Sequence, residues 1–201
     1  MTLSPTPDNN GPEHAALQPF RDAVHTWRGM GWLGTIPLPI NQKSPPPTNY
    51  TGDRSTRVLY ADDQTVADWL ESGTYNDGRN TVGNIGMALG FPVLVDGTEY
   101  QVIGIDVDDY DDKNGGAQLK SLESQLGALP DAPISSARDD GVSGIRFFRV
   151  PAYTAKGDRL EFVGSADTAI EVIQYKHRFA VMFPSINPKT GTQYRIYPPG
   201  Q

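Results

Sequence analysis

The chain has no cysteine among its 201 residues, which excludes disulfides, thiolate metal sites and a cysteine nucleophile and fits a reducing compartment. Histidine is nearly as scarce: His14, His25 and His177 are too scattered to suggest a zinc site. No apolar run approaches the roughly 18 residues needed to span a bilayer, and the polar start MTLSPTPDNNGPEH does not read as a signal peptide. A soluble, cytoplasmic protein is expected. A GxxxxGK[ST] phosphate loop is missing too, so helicase activity is not expected in this stretch of chain.

What is present suffices for one good-sized domain or two small lobes sharing a core: 37% hydrophobic residues, including three Trp, nine Tyr and seven Phe. The 21 Gly and 17 Pro predict long loops. The net charge of −7 argues against a nucleic-acid partner, but its distribution does not. From Arg138 onward nine Lys and Arg face six acids, a balance of +3 that leaves −10 on the first 137 residues. Such asymmetry allows a basic surface on an acidic protein.

Residues 1 to 11 are polar and Pro/Asn-rich and are expected to be disordered, with the folded domain running from 12 to 201. Apolar Leu17, Phe20, Val24 and Trp27 predict a helix over 14 to 30, and a short strand follows within 32 to 39. Asp62 or Asp63 is set to cap a helix through Val66, Trp69 and Leu70, with Gly73 beyond its end. A strand leads into a turn over 84 to 90, the sheet resumes at Gln101, and a third helix is expected over 117 to 129. Short apolar or alternating runs at 133–137, 144–150, 160–163, 169–173 and 179–183 predict a β-rich last third with antiparallel connections. The class is α+β. Trp27, Trp32 and Trp69 read as core, and Lys43 in its Pro-rich loop as a solvated lysine.

The segment GIDVDDYDD at 104–112 is unusual. Val102, Ile103, Ile105 and Val107 give it the composition of a half-buried strand, yet Asp106 and Asp108 interrupt that strand and share one of its faces. Like charges held so close repel unless a cation lies beside them. A calcium loop does not fit, because a register starting at Asp106 puts Tyr110 at the fifth position and Ala117 at the twelfth. A solvated acidic turn covers Asp109, Asp111 and Asp112, but not Asp106 between Ile105 and Val107. Glu171 is another carboxylate in a strand-like run, followed by Lys176, His177 and Arg178 and preceded by Arg138 and Arg146. Three carboxylates with several cations suit phosphoryl transfer assisted by two metal ions.

These motifs in this order resemble the archaeo-eukaryotic primase superfamily, and within it the bifunctional primase/polymerase (prim-pol) domains at the N-termini of phage and plasmid replication proteins. The resemblance covers roughly 14 to 197: the 32–39 segment with Lys43 and Pro45, Asn84-Ile-Gly86, GIDVDDYDDKNGG, Ser143-Gly-Ile-Arg-Phe-Phe148, Glu171-Val-Ile-Gln, and the stretch from Phe183 to Tyr194. It implies a small N-terminal α/β lobe packed on a catalytic lobe related to the RNA-recognition fold, with a mixed or antiparallel sheet. It implies Asp106, Asp108 and Glu171 as catalytic ligands of two Mg²⁺ or Mn²⁺ ions. Arg146 stands where the family usually has a histidine contacting nucleotide phosphates. Lys176, His177 and Arg178 are candidates to counter the triphosphate, and Arg138 and Ser143 are further nucleotide or template contacts. The implied partners are a single-stranded DNA template, a primer, dNTP or NTP, and a helicase-like region further along a longer protein; the location would be the host cytoplasm if phage-encoded. The rival expectation is a single-stranded DNA-binding module on the same fold that has lost catalysis, and a metal-dependent nuclease is a third.

Overall fold

The computed structural model describes residues 18–52, 57–90, 92–152, 168–175 and 177–199. The expected disordered start, the strand at 160–163 and Lys176 lie outside the described residues. Helix α1 (Gln18–Gly29) buries Phe20, Ala23 and Val24, and lies against strands β1 (Thr35–Pro39) and β3 (Asn80–Met87). Helix α2 (Asp63–Ser72) begins and ends as its sequence dictates. The Asp62 carboxylate accepts from the Thr65 amide at 2.8 Å, and Gly73 closes the helix in the left-handed region at φ 66°.

Two antiparallel sheets follow. In the first, β3 pairs with β1 on one side and with β2 (Thr74–Tyr75) and β9 (Ala180–Val181) on the other. In the second, the ten-residue β5 (Thr98–Val107) is the axis. Strand β7 (Gly144–Pro151) pairs along nearly all of β5 on one edge, while β4 (Pro92–Val95) and β8 (Ile170–Ile173) divide the other edge between them. Strands β6 (Ile134–Ser136) and β10 (Arg195–Tyr197) extend the sheet beyond β7. Helix α3 (Gly115–Leu126) packs on β5 and β8. The fold is α+β, as the sequence predicts, and every ladder among the described residues is antiparallel.

One apolar cluster joins the sheets: Phe20, Val24, Val66, Trp69, Val82, Ile85 and Met87 meet Ile145, Phe147 and Ile173. Trp69 is part of that core and Trp27 and Trp32 pack against it. A smaller cluster of Ile36, Leu38, Val181 and Tyr194 lies where β1 and β9 approach the β6 side. Buried Asn84 ties the loops beside this second cluster. Its side-chain amide donates to the Gln42 carbonyl at 3.1 Å and the Ile186 carbonyl at 2.9 Å, and its oxygen accepts from the Ile186 amide at 2.9 Å.

The sequence reading missed the β4–β5 hairpin. Asp96 and Gly97 both take positive φ, 49° and 78°, the two-residue turn whose twist suits antiparallel strands.

Candidate active site

Strand register assembles the acids. Asp106 of β5 lies directly opposite Glu171 of β8, and on the other edge it faces Ile145 of β7. Directly paired residues of antiparallel strands share a face, with Cβ atoms about 5 Å apart. Asp108 follows two residues on, where the Asp108 amide donates to the Ala169 carbonyl at 2.8 Å. All three carboxylates line one cavity of about 420 Å³, together with the cations Lys43, Lys113, Arg138, Arg178 and Lys189 and the rings of Tyr110 and Tyr194.

The loop after β5 is folded back tightly to deliver Asp108. The Gly115 amide donates to the Asp108 carbonyl at 2.9 Å, the Asp109 carboxylate accepts from the Gly116 amide at 3.0 Å at the start of α3, and the Ser143 hydroxyl accepts from the Asp109 amide at 3.1 Å. A Cβ on Gly115 would come within 2.5 Å of the Asp108 carbonyl oxygen and 2.8 Å of Val107. Gly115→Ala is therefore expected to cost about 1–3 kcal/mol, as forced overpacking does, and to displace Asp108. Thermal melts check the cost, and a variant with the wild-type Tm would contradict this account of the loop.

Charge compensation is uneven. Asp108 is paired with the Lys113 ammonium, whose pKa this hydrogen bond raises. Glu171 holds Arg178 through Nε at 2.8 Å and Nη2 at 3.1 Å, with His177 Nε2 3.9 Å away. Burial holds the His177 imidazole below its ordinary pKa. Among the described residues no Lys or Arg nitrogen lies within ion-pairing distance of Asp106. Burial, then Asp108 and Glu171, push its carboxyl up to about 7.

Lys43, expected in solvent, sits in the cavity with its ammonium 5.4 Å from the centre of the buried Tyr194 ring. Burial pulls its pKa down, and Asp106 and Asp108 pull it back up. Arg138 stacks on Tyr110 at 3.7 Å. Ser143 lines the cavity, with its hydroxyl engaged in holding the Asp109 loop.

Arg146 is not brought to the acids. It pairs across β5 with Ile105, so it stands on the opposite face from Asp106, and the β7 residues in the cavity lining are Gly144 and Ile145. The Arg146 guanidinium donates to the Gly144 and Val142 carbonyls at 3.3 and 2.9 Å, and burial lowers its pKa against the pull of Glu123 on α3. Replacing Arg146 with Lys should lower stability by about 1 kcal/mol, because lysine cannot keep both hydrogen bonds to the Gly144 and Val142 carbonyls. A thermal melt that matches the wild type would contradict that placement.

Lys113, Lys189, Tyr110 and Tyr194 were not singled out from sequence. Lys113 closes the same loop that carries the acids, and Lys189 and Tyr194 fall inside the 183–194 segment, so proximity in sequence was the available signal.

In this α+β fold, three carboxylates share one cavity with five lysines and arginines. Comparison with known families narrows the class. The chain belongs to the bifunctional DNA primase/polymerase family, N-terminal domain (Prim-Pol), whose family model matches residues 23–200. No curated protein and no solved structure matches the chain. No helix among the described residues is long and apolar enough to cross a membrane.

Enzymes of this family generally use divalent metals. Among the described residues no three carboxylate or imidazole groups stand together as a ready ion cage. The donor chemistry nevertheless fits a hard divalent ion. The three groups are carboxylates lining one cavity, cations already pair with two of them, and the third, Asp106, has its pKa raised by burial and then by the other two.

Proposed function

We propose that this domain is a DNA primase/polymerase that transfers nucleotides from dNTP or NTP to a 3′-hydroxyl on a single-stranded DNA template, in the replication of a phage or plasmid and within a longer protein carrying a helicase-like region. The observation that carries the proposal is the direct cross-strand pairing of Asp106 with Glu171 on the face shared with Asp108, in a cavity ringed by five cations. Asp106, Asp108 and Glu171 would hold two Mg²⁺ or Mn²⁺ ions. Such ions supply charge neutralisation, activation of the attacking hydroxyl and stabilisation of the pyrophosphate leaving group.

The remaining chemistry belongs to the chain. Lys43, Arg138 and Lys189 line the wall of the same cavity and suit the phosphate oxygens of the incoming nucleotide. Tyr194 and Asn84 fix that wall, one beneath the Lys43 ammonium and the other by bonding the backbone next to Lys43 and next to Asn187. Tyr110, covered by Arg138 on one side and 5.5 Å from the Lys113 ammonium, completes a flat boundary beside Asp108.

Primer extension on a single-stranded template with Mn²⁺ or Mg²⁺ tests the reading. Lengthened primer supports it, and product in an unprimed reaction adds priming. Shortened substrate would turn the assignment to a nuclease, and DNA binding without any change of length would turn it to a catalytically silent module.

Metal-free stability carries a pH signature of the same carboxylate. Because folded Asp106 has a pKa of about 7 against 3.8 unfolded, the folded state holds a proton that the unfolded state has lost between those values. Stability therefore falls as pH rises from about 4 to about 7 and levels off above. Asp106→Asn removes this slope, so its gain in Tm over the wild type in EDTA should be near zero at pH 4 and on the order of 5 °C at pH 8. An equal Tm difference at both pH values would contradict the assignment.

A further inference from the structure

Two of the three acids already hold a cation, and those two cations line the same cavity as Lys43, Arg138 and Lys189. The geometry points to Lys113 and Arg178 as exchangeable counter-ions: they occupy Asp108 and Glu171 until a divalent ion arrives, then transfer to the triphosphate, so that metal and nucleotide bind as a linked pair. The inference deepens the polymerase reading and rests on it.

Three observations support it. Each cation is paired to an acid but only partly enclosed, with side-chain exposures of 49% for Lys113 and 60% for Arg178, so a rotamer change frees it without disturbing the core. Both side chains are long and flexible. Asp106 lies between these pairs without a close cation of its own among the described residues, which leaves an anionic opening where a divalent ion is attracted first.

Electrostatics then links the two ligands. A metal ion seated among the acids repels the ammonium of Lys113 and the guanidinium of Arg178 and releases them. Released, they face the cavity that would receive three or four phosphate charges. Without metal, the acids retain them and the nucleotide meets a site short of two cations. Each ligand thus raises the affinity for the other by the same factor.

The test measures Mn²⁺ binding by electron paramagnetic resonance of the free ion without nucleotide, and binding of a non-hydrolysable deoxynucleoside triphosphate with and without Mn²⁺. The proteins are wild type, Lys113→Ala, Lys113→Gln, Arg178→Ala and, as a cavity cation paired with no acid, Lys189→Ala. Lys113→Ala and Arg178→Ala should each bind Mn²⁺ about tenfold more tightly than wild type without nucleotide, within the usual range of coupling between sites. In both, the enhancement of nucleotide affinity by Mn²⁺ should shrink by a similar factor, and Lys113→Gln should repeat the effect if the alanine variant folds poorly. Lys189→Ala should weaken nucleotide without tightening Mn²⁺. Unchanged or weaker Mn²⁺ binding in folded Lys113 and Arg178 variants overturns the exchange while leaving the polymerase reading intact. Mn²⁺ binding that survives Asp106→Asn and Asp108→Asn in full overturns both.

Discussion

Asp106→Asn and Asp108→Asn are each expected to lower metal-dependent nucleotide incorporation on the order of 10³-fold, the loss typical of removing one electrostatic group aimed at developing charge, while the fold survives. The two variants differ in what they leave behind. Asp106→Asn relieves a carboxylate held near pH 7 by burial and by its two neighbours, so the metal-free protein gains stability at neutral and alkaline pH. Asp108→Asn instead strips Lys113 of its partner and weakens the hydrogen bond that ties the 108–116 loop, so it gains nothing. Equal activity of either variant and the wild type at saturating Mn²⁺ would remove these acids from the mechanism.

The second large effect falls on a residue that touches no acid. Asn84→Leu keeps the volume of the side chain but orphans the Gln42 carbonyl and both the amide and carbonyl of Ile186. These groups are only partly buried, so the loss expected in total is about 1–3 kcal/mol, within the usual range for single substitutions. The functional consequence is separate from the stability loss. The two loops released carry Lys43 and Lys189, so the variant should raise nucleotide KM at temperatures where it is fully folded. A denaturant series at fixed temperature and a KM measurement on the folded protein distinguish the two. Unchanged KM alongside lowered stability would make Asn84 a scaffold residue only.

These predictions bear on how much the sequence could disclose. Helix α2 is legible to within one residue at its start, where Asp62 and Asp63 both suit the cap and the structure uses Asp62, and at its Gly73 stop, because both signals act within one turn of the chain. The acid pair is legible for a similar reason: charges inside a β-branched run have few explanations, and Asp106 lies near the end of β5 with Asp108 directly beyond it. Glu171 was named as a candidate, but its position opposite Asp106 depends on a pairing across 65 residues that no local pattern encodes. Arg146 illustrates the limit. It is named by its place in the family's motif, which does not fix the register, and a shift of one residue exchanges the faces of a strand, so Ile145 lines the cavity and Arg146 does not. Lys43 was read as solvated because nothing in a Pro-rich loop announces that Asn84 will draw its neighbour Gln42 toward the cavity. The Asp96-Gly97 turn, by contrast, was visible and was passed over between two apolar runs.

Lys113 and Arg178 belong to the part that only three dimensions disclose. In sequence they are unremarkable cations near acids. In the fold they pair with Asp108 and Glu171 and leave Asp106 as the acid without a close cation among the described residues.

The most direct test of the central claim is incorporation of labelled dNTP and NTP on a single-stranded template in Mn²⁺ or Mg²⁺, with wild type beside the Asp106→Asn/Asp108→Asn double variant. Product that requires both the divalent ion and the two aspartates is the predicted result. Product of equal yield from the double variant, or none from the wild type under conditions where it binds the template, would contradict it.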